Sequence, residues 1–224
     1  MGLNSLYIDT SKARSIAVFC TGLLALGQHS QAMAEGELSF NASVVSQYLW
    51  RGFDLNNQDI ALQGGADYEN DNGLYGGLWV SQYDFGDDDN GAEIDIYAGY
   101  SHSLNDDFWI DVSVTSYQYT GESDSSIEWK IGLGHEFFEL NYHHDQDLDT
   151  DYIEFNPNYS FTDKWSINAH WGINDDGYDS YYDYSLSLGY AFSEKFELII
   201  GYSDHELNEK TAEAVVFGEL YAYF

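Results

Sequence analysis

The strongest constraint on the fold of this chain is an alternation of apolar residues with small or polar residues, repeated in many short segments. In one segment, Trp165, Ile167 and Trp171 occupy odd positions, whereas Ser166 and Asn168 occupy even positions. A period of two places the two sets of side chains on opposite faces of a β-strand, and no long segment keeps a helical period. The pattern therefore predicts an all-β protein made of antiparallel strands.

About twelve segments of this kind follow the N-terminal region. The segment 138–144 is the weakest of them, so ten strands are the alternative. The predicted spans are 37–52, 58–69, 74–85, 92–103, 108–119, 126–136, 138–144, 151–161, 165–174, 180–192, 196–204 and 212–224.

The connections between these segments alternate in character along the chain. Every second connection is tight, as at 70–73 and 193–195, whereas those between are longer and acidic, as at 86–91 and 175–179. Short turns at one end and longer loops at the other are typical of outer-membrane barrels. A sheet in lipid must close so that every backbone group is paired. We therefore predict a transmembrane up-and-down antiparallel β-barrel, with a secreted soluble β-domain as the alternative.

Residues 1–34 have the organisation of a cleaved signal peptide. Two basic residues precede the apolar or small segment 15–26, and an A-x-A cleavage site ends at Ala34. The apolar segment is shorter than the roughly 20 residues that a membrane-spanning helix needs. We expect a single barrel domain, 35–224, exported to the outer membrane of a Gram-negative bacterium.

The composition excludes several functional classes. The chain has 7 Lys and Arg against 39 Asp and Glu, for a net charge of −32, so its surface would repel the phosphates of nucleic acid. The 20 Tyr, 13 Phe and 6 Trp distinguish it from an acidic disordered chain. Its one cysteine, Cys20, lies in the predicted signal peptide, so we expect neither a disulfide nor thiol chemistry in the barrel.

The polar face of the predicted strands carries many charged residues, and this face is expected to line the lumen. Crowded carboxylates around a confined path attract cations and repel anions. A twelve-stranded barrel would have a narrow lumen that large side chains can fill. The candidate pore-lining residues are Arg51, Asp67, Glu69, Glu93, Asp95, Asp111, Glu128, Lys130, Glu139, Glu154, Asp183 and Glu219.

Arg51 is the most distinctive of these residues because cations are scarce in the chain. One interpretation places Arg51 at the rim of the barrel, against lipid headgroup phosphates. The other places it in the lumen, paired with a carboxylate such as Asp67 on the neighbouring strand, where it would fix the register of the first hairpin. The sequence leaves both interpretations open.

Two acidic loops have a spacing of oxygen ligands suggestive of Ca²⁺, but the second of them lacks the glycine and the bidentate glutamate of an EF-hand. The adjacent His143 and His144 would point to opposite faces of a strand, which argues against a shared metal ion. We therefore predict no firm metal site and no cofactor. The weak loop candidates are Asp87, Asp88, Asp89, Asp145, Asp147, Asp149 and Asp151.

The sequence does not predict an enzyme. The adjacent Ser101 and His102 would face apart on a strand, and the chain has no G-x-S-x-G nucleophile motif. Pairs of carboxylates suited to glycoside chemistry occur on every strand and single out no site.

The opening part of the predicted domain resembles the TorF family of bacterial porins. The resemblance extends from about residue 43 to 224, and it implies an outer-membrane β-barrel with a transport role but no particular substrate. The matching motifs are Ser46-x-Tyr48-x-x-Arg51-Gly52, Gln63-Gly64-Gly65-x-Asp67-Tyr68, Gly73-x-Tyr75-x-Gly77-x-Trp79-x-Ser81 and Glu93-x-Asp95-x-Tyr97-x-Gly99-Tyr100.

These observations predict a passive outer-membrane porin for small solutes or ions, with a preference for cations. The alternative is a non-conducting barrel whose acidic loops bind cations, surfaces or a partner. Expected partners are outer-membrane lipid and lipopolysaccharide, the transported solutes, and the outer-membrane assembly machinery. The last segment ends in Phe224 and resembles the assembly signal that this machinery recognises.

Overall fold

A computed structural model describes residues 36–86, 89–207, 210–211 and 214–224. The predicted signal peptide lies outside these residues. In this part of the chain, no helix has the length and hydropathy required to cross a membrane.

The described residues form fifteen strands, twelve of them long enough to build the wall of a barrel. The three short ones are β2, β3 and β14. The strands are β1 (Glu37–Val45), β2 (Leu49–Trp50), β3 (Phe53–Asp54), β4 (Ala61–Glu69), β5 (Leu74–Asp84), β6 (Asn90–Ser103), β7 (Phe108–Tyr119), β8 (Ser126–His135), β9 (Phe138–Asp145), β10 (Thr150–Thr162), β11 (Trp165–Asp175), β12 (Ser180–Ser193), β13 (Phe196–Leu207), β14 (Lys210–Thr211) and β15 (Val215–Tyr223).

The twelve long strands form one closed antiparallel sheet, which confirms the predicted up-and-down barrel. Each strand from β4 to β13 pairs with the next, β13 pairs with β15, and β15 and β4 flank β1. The strand β9, which corresponds to the weakest predicted segment, pairs along both of its edges. The barrel therefore has twelve strands rather than ten.

The seam between the first and last strands includes Phe224. The backbone groups of Phe40 and Phe224 exchange two hydrogen bonds, with N···O distances of 3.1 and 2.9 Å. These bonds extend the β1–β15 pairing beyond Tyr223. The predicted recognition of Phe224 by the assembly machinery stays a prediction.

The two faces of the barrel wall are inverted relative to a water-soluble protein. Large apolar side chains point outward, and Ile96 and Ile131 are 51% and 56% exposed. Carboxylates point inward, and Glu154 and Asp183 are only 3% and 1% exposed. An apolar outer band around a polar interior is the arrangement of a barrel that crosses lipid.

The segment 46–60 is where the structure departs most from the sequence prediction. The predicted strands 37–52 and 58–69 are wrong at their facing ends, because β1 ends at Val45 and β4 begins at Ala61. Between them, β2 and β3 pair across a two-residue turn at Arg51 and Gly52, whose φ angles are +48° and +84°. Positive φ at both central residues is typical of the tight type I′ hairpin turn. We call Leu49–Asp54 the inner hairpin.

Replacing Ile96 with Arg tests the outer apolar band. We expect I96R to lower the free energy of unfolding in lipid vesicles by about 2–4 kcal/mol if Ile96 lies at the bilayer midplane, because lipid solvates a guanidinium poorly. Urea unfolding of the refolded barrel measures this change.

The control for this test is Tyr178→Arg in the loop between β11 and β12, where Tyr178 is 97% exposed. The control variant should unfold as the unmodified protein does. An I96R variant as stable as the control would contradict a lipid-facing position for Ile96.

Candidate functional site

The inner hairpin lies inside the barrel and contacts strands other than β1 and β4, the two that its segment connects. Nδ1 of His205 on β13 donates a hydrogen bond to the carbonyl oxygen of Gly52 at 3.0 Å. The Phe53 ring packs against His205 and Tyr181, with ring centroids 4.1 and 5.1 Å apart. The first long connection of the barrel therefore occupies the lumen instead of extending into solvent.

Glycine is required at the tip of the inner hairpin for two reasons. Gly52 has a φ of +84°, which L side chains rarely adopt. A Cβ atom at this position would lie 2.7 Å from Cβ of His205 and 3.0 Å from Cβ of Asp183. The backbone of the hairpin can approach β12 and β13 this closely because no side chain intervenes.

The residues before and after the inner hairpin attach it to the wall near β1 and β5. The amide of Leu55 donates to the carbonyl of Tyr48 at 2.7 Å, and the amide of Asp84 donates to the carbonyl of Leu55 at 2.9 Å. Tyr48 is buried in an apolar cluster with Val45 and Ala61. The hairpin is thus held at its base as well as at its tip.

Arg51 forms a buried ion pair at the tip of the inner hairpin. One guanidinium nitrogen lies 2.5 Å from Oε2 of Glu128, and the two side chains are 3% and 4% exposed. The guanidinium also stacks between Trp50 and Tyr152, at 4.3 and 4.0 Å from the two ring centroids. Cation–π contacts of this kind strengthen when the cation is desolvated.

The structure places Arg51 inside the barrel, as one of the two sequence interpretations did. The rim interpretation is wrong because the side chain is buried inside the barrel. The lumen interpretation named the wrong partner, since Arg51 pairs with Glu128, 77 positions away. Asp67 instead accepts hydrogen bonds from Asn41, at 3.3 Å, and from the hydroxyl of Tyr97.

A continuous set of polar contacts extends from this ion pair around the inner wall. Nδ1 of His143 lies 2.8 Å from Glu128, and its Nε2 lies 3.2 Å from Glu154. Nδ1 of His170 lies 3.7 Å from Glu154, and its Nε2 lies 2.6 Å from Asp183. Carboxylates and imidazoles therefore alternate across β8 to β12 at the level of the hairpin tip.

His143 and Tyr152 were not predicted as lumen residues. His143 has the same parity on β9 as Glu139, which was assigned to the lumen, so the alternation contained the necessary signal. His144 faces outward and pairs with Asp151 at 2.9 Å. The prediction that the adjacent histidines point to opposite faces is therefore confirmed.

The structure places the remaining pore-lining candidates on the inner face but divides them into separate groups. Lys130 pairs with Asp111 at 2.9 Å, and Asp111 also accepts a hydrogen bond from the Tyr75 hydroxyl at 2.8 Å. Some candidates belong neither to this pair nor to the set of polar contacts that extends from Arg51 to Asp183. They are Asp67, Glu69, Glu93, Asp95, Glu139 and Glu219.

A small cavity remains beside the inner hairpin. Its volume is about 60 Å³, which is enough for a few water molecules. The hairpin and its polar neighbours fill much of the lumen at this level. The cavity lining includes Arg51, Glu154, His170, Asp183 and Glu219.

The first acidic loop candidate is only partly described, because Asp87 and Asp88 lie outside the described residues. Asp89 accepts hydrogen bonds from the Ser123 hydroxyl at 2.5 Å and from the Glu122 amide at 2.9 Å. The bond from Ser123 lowers the pKa of Asp89 below its ordinary value. These contacts tie the β5–β6 loop to the β7–β8 loop.

The carboxylates of the second acidic loop have separate partners. Asp145 accepts hydrogen bonds from the loop backbone, including the amide of Asp147, and Asp147 accepts one from the backbone of β8. Asp151 accepts one from the Tyr142 hydroxyl at 2.6 Å, and Asp149 has a φ of +54° within the turn. Across the described ranges, no group of three or more His, Cys, Asp or Glu residues has the geometry of a metal site.

Removing the carboxylate partner of Arg51 should destabilise the barrel. We expect Glu128→Gln to lower the free energy of unfolding by about 3–5 kcal/mol, because the buried guanidinium loses its counter-ion. Glu122→Gln, in an exposed loop, is the matched control and should change it by less than about 0.5 kcal/mol. Equal urea midpoints for the two variants in lipid vesicles would contradict the buried ion pair.

Comparisons with solved structures identify the same fold in outer-membrane porins. The KdgM porin matches with a TM-score of 0.58 at 12% identity, over 83% of this chain and 98% of that one. The NanC porin matches with a TM-score of 0.55 at 12% identity, over 84% and 99% of the two chains. An outer membrane channel from Pseudomonas putida F1 matches with a TM-score of 0.54 at 11% identity, over 90% and 99%. At these identities the similarity shows the fold alone.

Sequence comparison gives a family without a described activity. No curated protein matches the chain. A family model, Gcw_chp, described as "Bacterial protein of unknown function", matches residues 29–220. This match spans nearly the whole of the barrel described above. The chain therefore belongs to the Gcw_chp family of bacterial proteins.

Proposed function

We propose that this protein is a passive outer-membrane channel for small solutes, with a preference for cations over anions. The barrel crosses the membrane through its apolar outer band, and the path for solutes lies between the acidic wall and the inner hairpin. The resemblance to TorF porins and the shared fold with solved porins support a transport role. They do not identify a substrate.

The charge of the lumen is the observation that carries this proposal. Among the described residues of the inner wall and inner hairpin, carboxylates far outnumber Arg51 and Lys130. A narrow path bounded by low-dielectric walls concentrates the counter-ions of its fixed charges. Cations and neutral solutes therefore meet a lower electrostatic barrier than anions of the same size.

The inner hairpin sets the width of the path. Its tip contacts β8 through Arg51, and β12 and β13 through Phe53 and Gly52. Solutes larger than a few water molecules pass only when these contacts open. The proposed channel is consequently narrow when the hairpin is docked.

A non-conducting barrel is the second candidate function. The observation that favours it is the same docked hairpin, because a permanently anchored hairpin would obstruct the lumen beside the cavity of about 60 Å³. The acidic outer loops would then act as a surface for cations or a partner. Conductance in a planar bilayer separates the two candidates.

The reversal potential under a salt gradient tests the charge selectivity. In a KCl gradient we expect the reversal potential to move towards the equilibrium potential of K⁺. Arg51→Ala should move it further in that direction and raise the single-channel conductance, because the variant removes a lumen cation and releases the hairpin tip.

Lys164→Ala is the matched control, since Lys164 is an exposed cation in a tight turn and its removal changes the net charge equally. This control should leave the reversal potential unchanged. An anion preference in the unmodified channel would refute the proposed selectivity. Absence of conductance from folded barrels would favour the second candidate function.

A further inference from the structure

Glu93 and Asp95 are lumen carboxylates that differ from Glu128 and Asp111 because neither has a cationic partner among the described residues. They are two residues apart on β6, so both side chains point from the same face of the strand into the lumen. Glu128 is paired with Arg51 and with His143, whereas no Lys, Arg or His in the described ranges forms an ion pair with Glu93 or Asp95.

Each of these two carboxylates keeps one buried oxygen without a hydrogen bond. Glu93 is 2% exposed. Its Oε1 accepts a hydrogen bond from the Tyr119 hydroxyl at 3.2 Å, and the Tyr48 hydroxyl also donates to this carboxylate. Oε2 of Glu93 and Oδ1 of Asp95 are buried and have no partner among the described residues. A buried carboxylate oxygen without a partner is costly, and a bound cation would remove that cost.

The surroundings of the two carboxylates determine which cation fits. Asp95 lies close enough to Glu93 and Glu128 to interact with both electrostatically. The hydroxyls of Tyr48 and Tyr119 contact Glu93. An all-oxygen set of donors with two carboxyl groups and no cationic partner among the described residues suits a hard divalent cation, which completes its coordination with water.

We infer that Glu93 and Asp95 form a binding site for a hydrated divalent cation, of the class of Ca²⁺, inside the barrel. This inference rests on the proposed function in one respect, because the inferred site is the place where a cation that crosses the channel would bind. Tyr48 belongs to the segment that carries the inner hairpin, and Tyr119 belongs to β7. The site is therefore bounded by the wall on one side and by the base of the hairpin segment on the other.

Terbium luminescence tests the site directly. Tb³⁺ prefers the same oxygen ligands as Ca²⁺, and excitation of a nearby tyrosine sensitises its emission. Tyr48 and Tyr119 both contact Glu93, so the folded full chain in detergent should show tyrosine-sensitised Tb³⁺ emission that Ca²⁺ competes away. The double variant E93Q/D95N should bind Tb³⁺ at least about tenfold more weakly, because it loses both charged ligands.

The matched control is E139Q/E197Q, which also removes two lumen carboxylates. Glu139 interacts with Lys130, and Glu197 accepts hydrogen bonds from Tyr223 and Ser166. This control should keep the Ca²⁺-competed emission of the unmodified protein. Heat-modifiable gel mobility shows that each variant is a folded barrel before the titration.

Unchanged Tb³⁺ binding by E93Q/D95N would overturn the site, as would an equal loss in both double variants. Because the titration does not require conduction, it is independent of the channel proposal. If the barrel does not conduct, but Tb³⁺ emission is lost in E93Q/D95N and kept in the control, the channel proposal is refuted and the cation site is supported.

Discussion

The buried ion pair between Arg51 and Glu128 is the interaction on which the arrangement of the lumen depends. It joins the tip of a hairpin from the first long connection to a strand on another part of the wall, with both side chains almost fully buried. Two buried charges at this distance are stable only when each satisfies the other, since a lone charge in the same place is strongly destabilising. The aromatic rings of Trp50 and Tyr152 complete the enclosure of the guanidinium.

The barrel makes this arrangement possible because its wall is inverted. The closed sheet pairs its own backbone, so it can present apolar side chains to lipid and reserve the interior for charge. The carboxylates of the interior then differ in their partners. Glu128, Glu154 and Asp183 have cationic or imidazole partners near the hairpin tip, whereas Glu93 and Asp95 have none among the described residues. Glu128 holds the tip of the hairpin in place through Arg51, and Glu93 and Asp95 form the proposed cation site.

Much of this architecture could be predicted from the sequence, because alternation with a period of two is a local property of each strand. It gave the twelve strands, the inner face and the asymmetry of turns and loops. The inner hairpin could not be predicted in this way, because the alternation continues through Tyr48 and Trp50 as it would in a longer strand. The chain turns inward because Arg51 contacts Glu128, 77 positions away, and Gly52 contacts His205, 153 positions away. Contacts between residues so distant in sequence produce no periodic pattern. The inward position of His143 could also be predicted, because His143 and Glu139 have the same parity on β9.

Hydrogen–deuterium exchange of the segment 46–60 tests the docked hairpin most directly. The amide of Leu55 donates to Tyr48 inside the barrel, so peptides covering 48–55 should exchange nearly as slowly as the wall strands. In the Arg51→Ala variant, protection of these peptides should fall while that of the wall strands persists. Exchange in the unmodified protein as fast as that of the outer loop at 176–179 would contradict a hairpin anchored in the lumen.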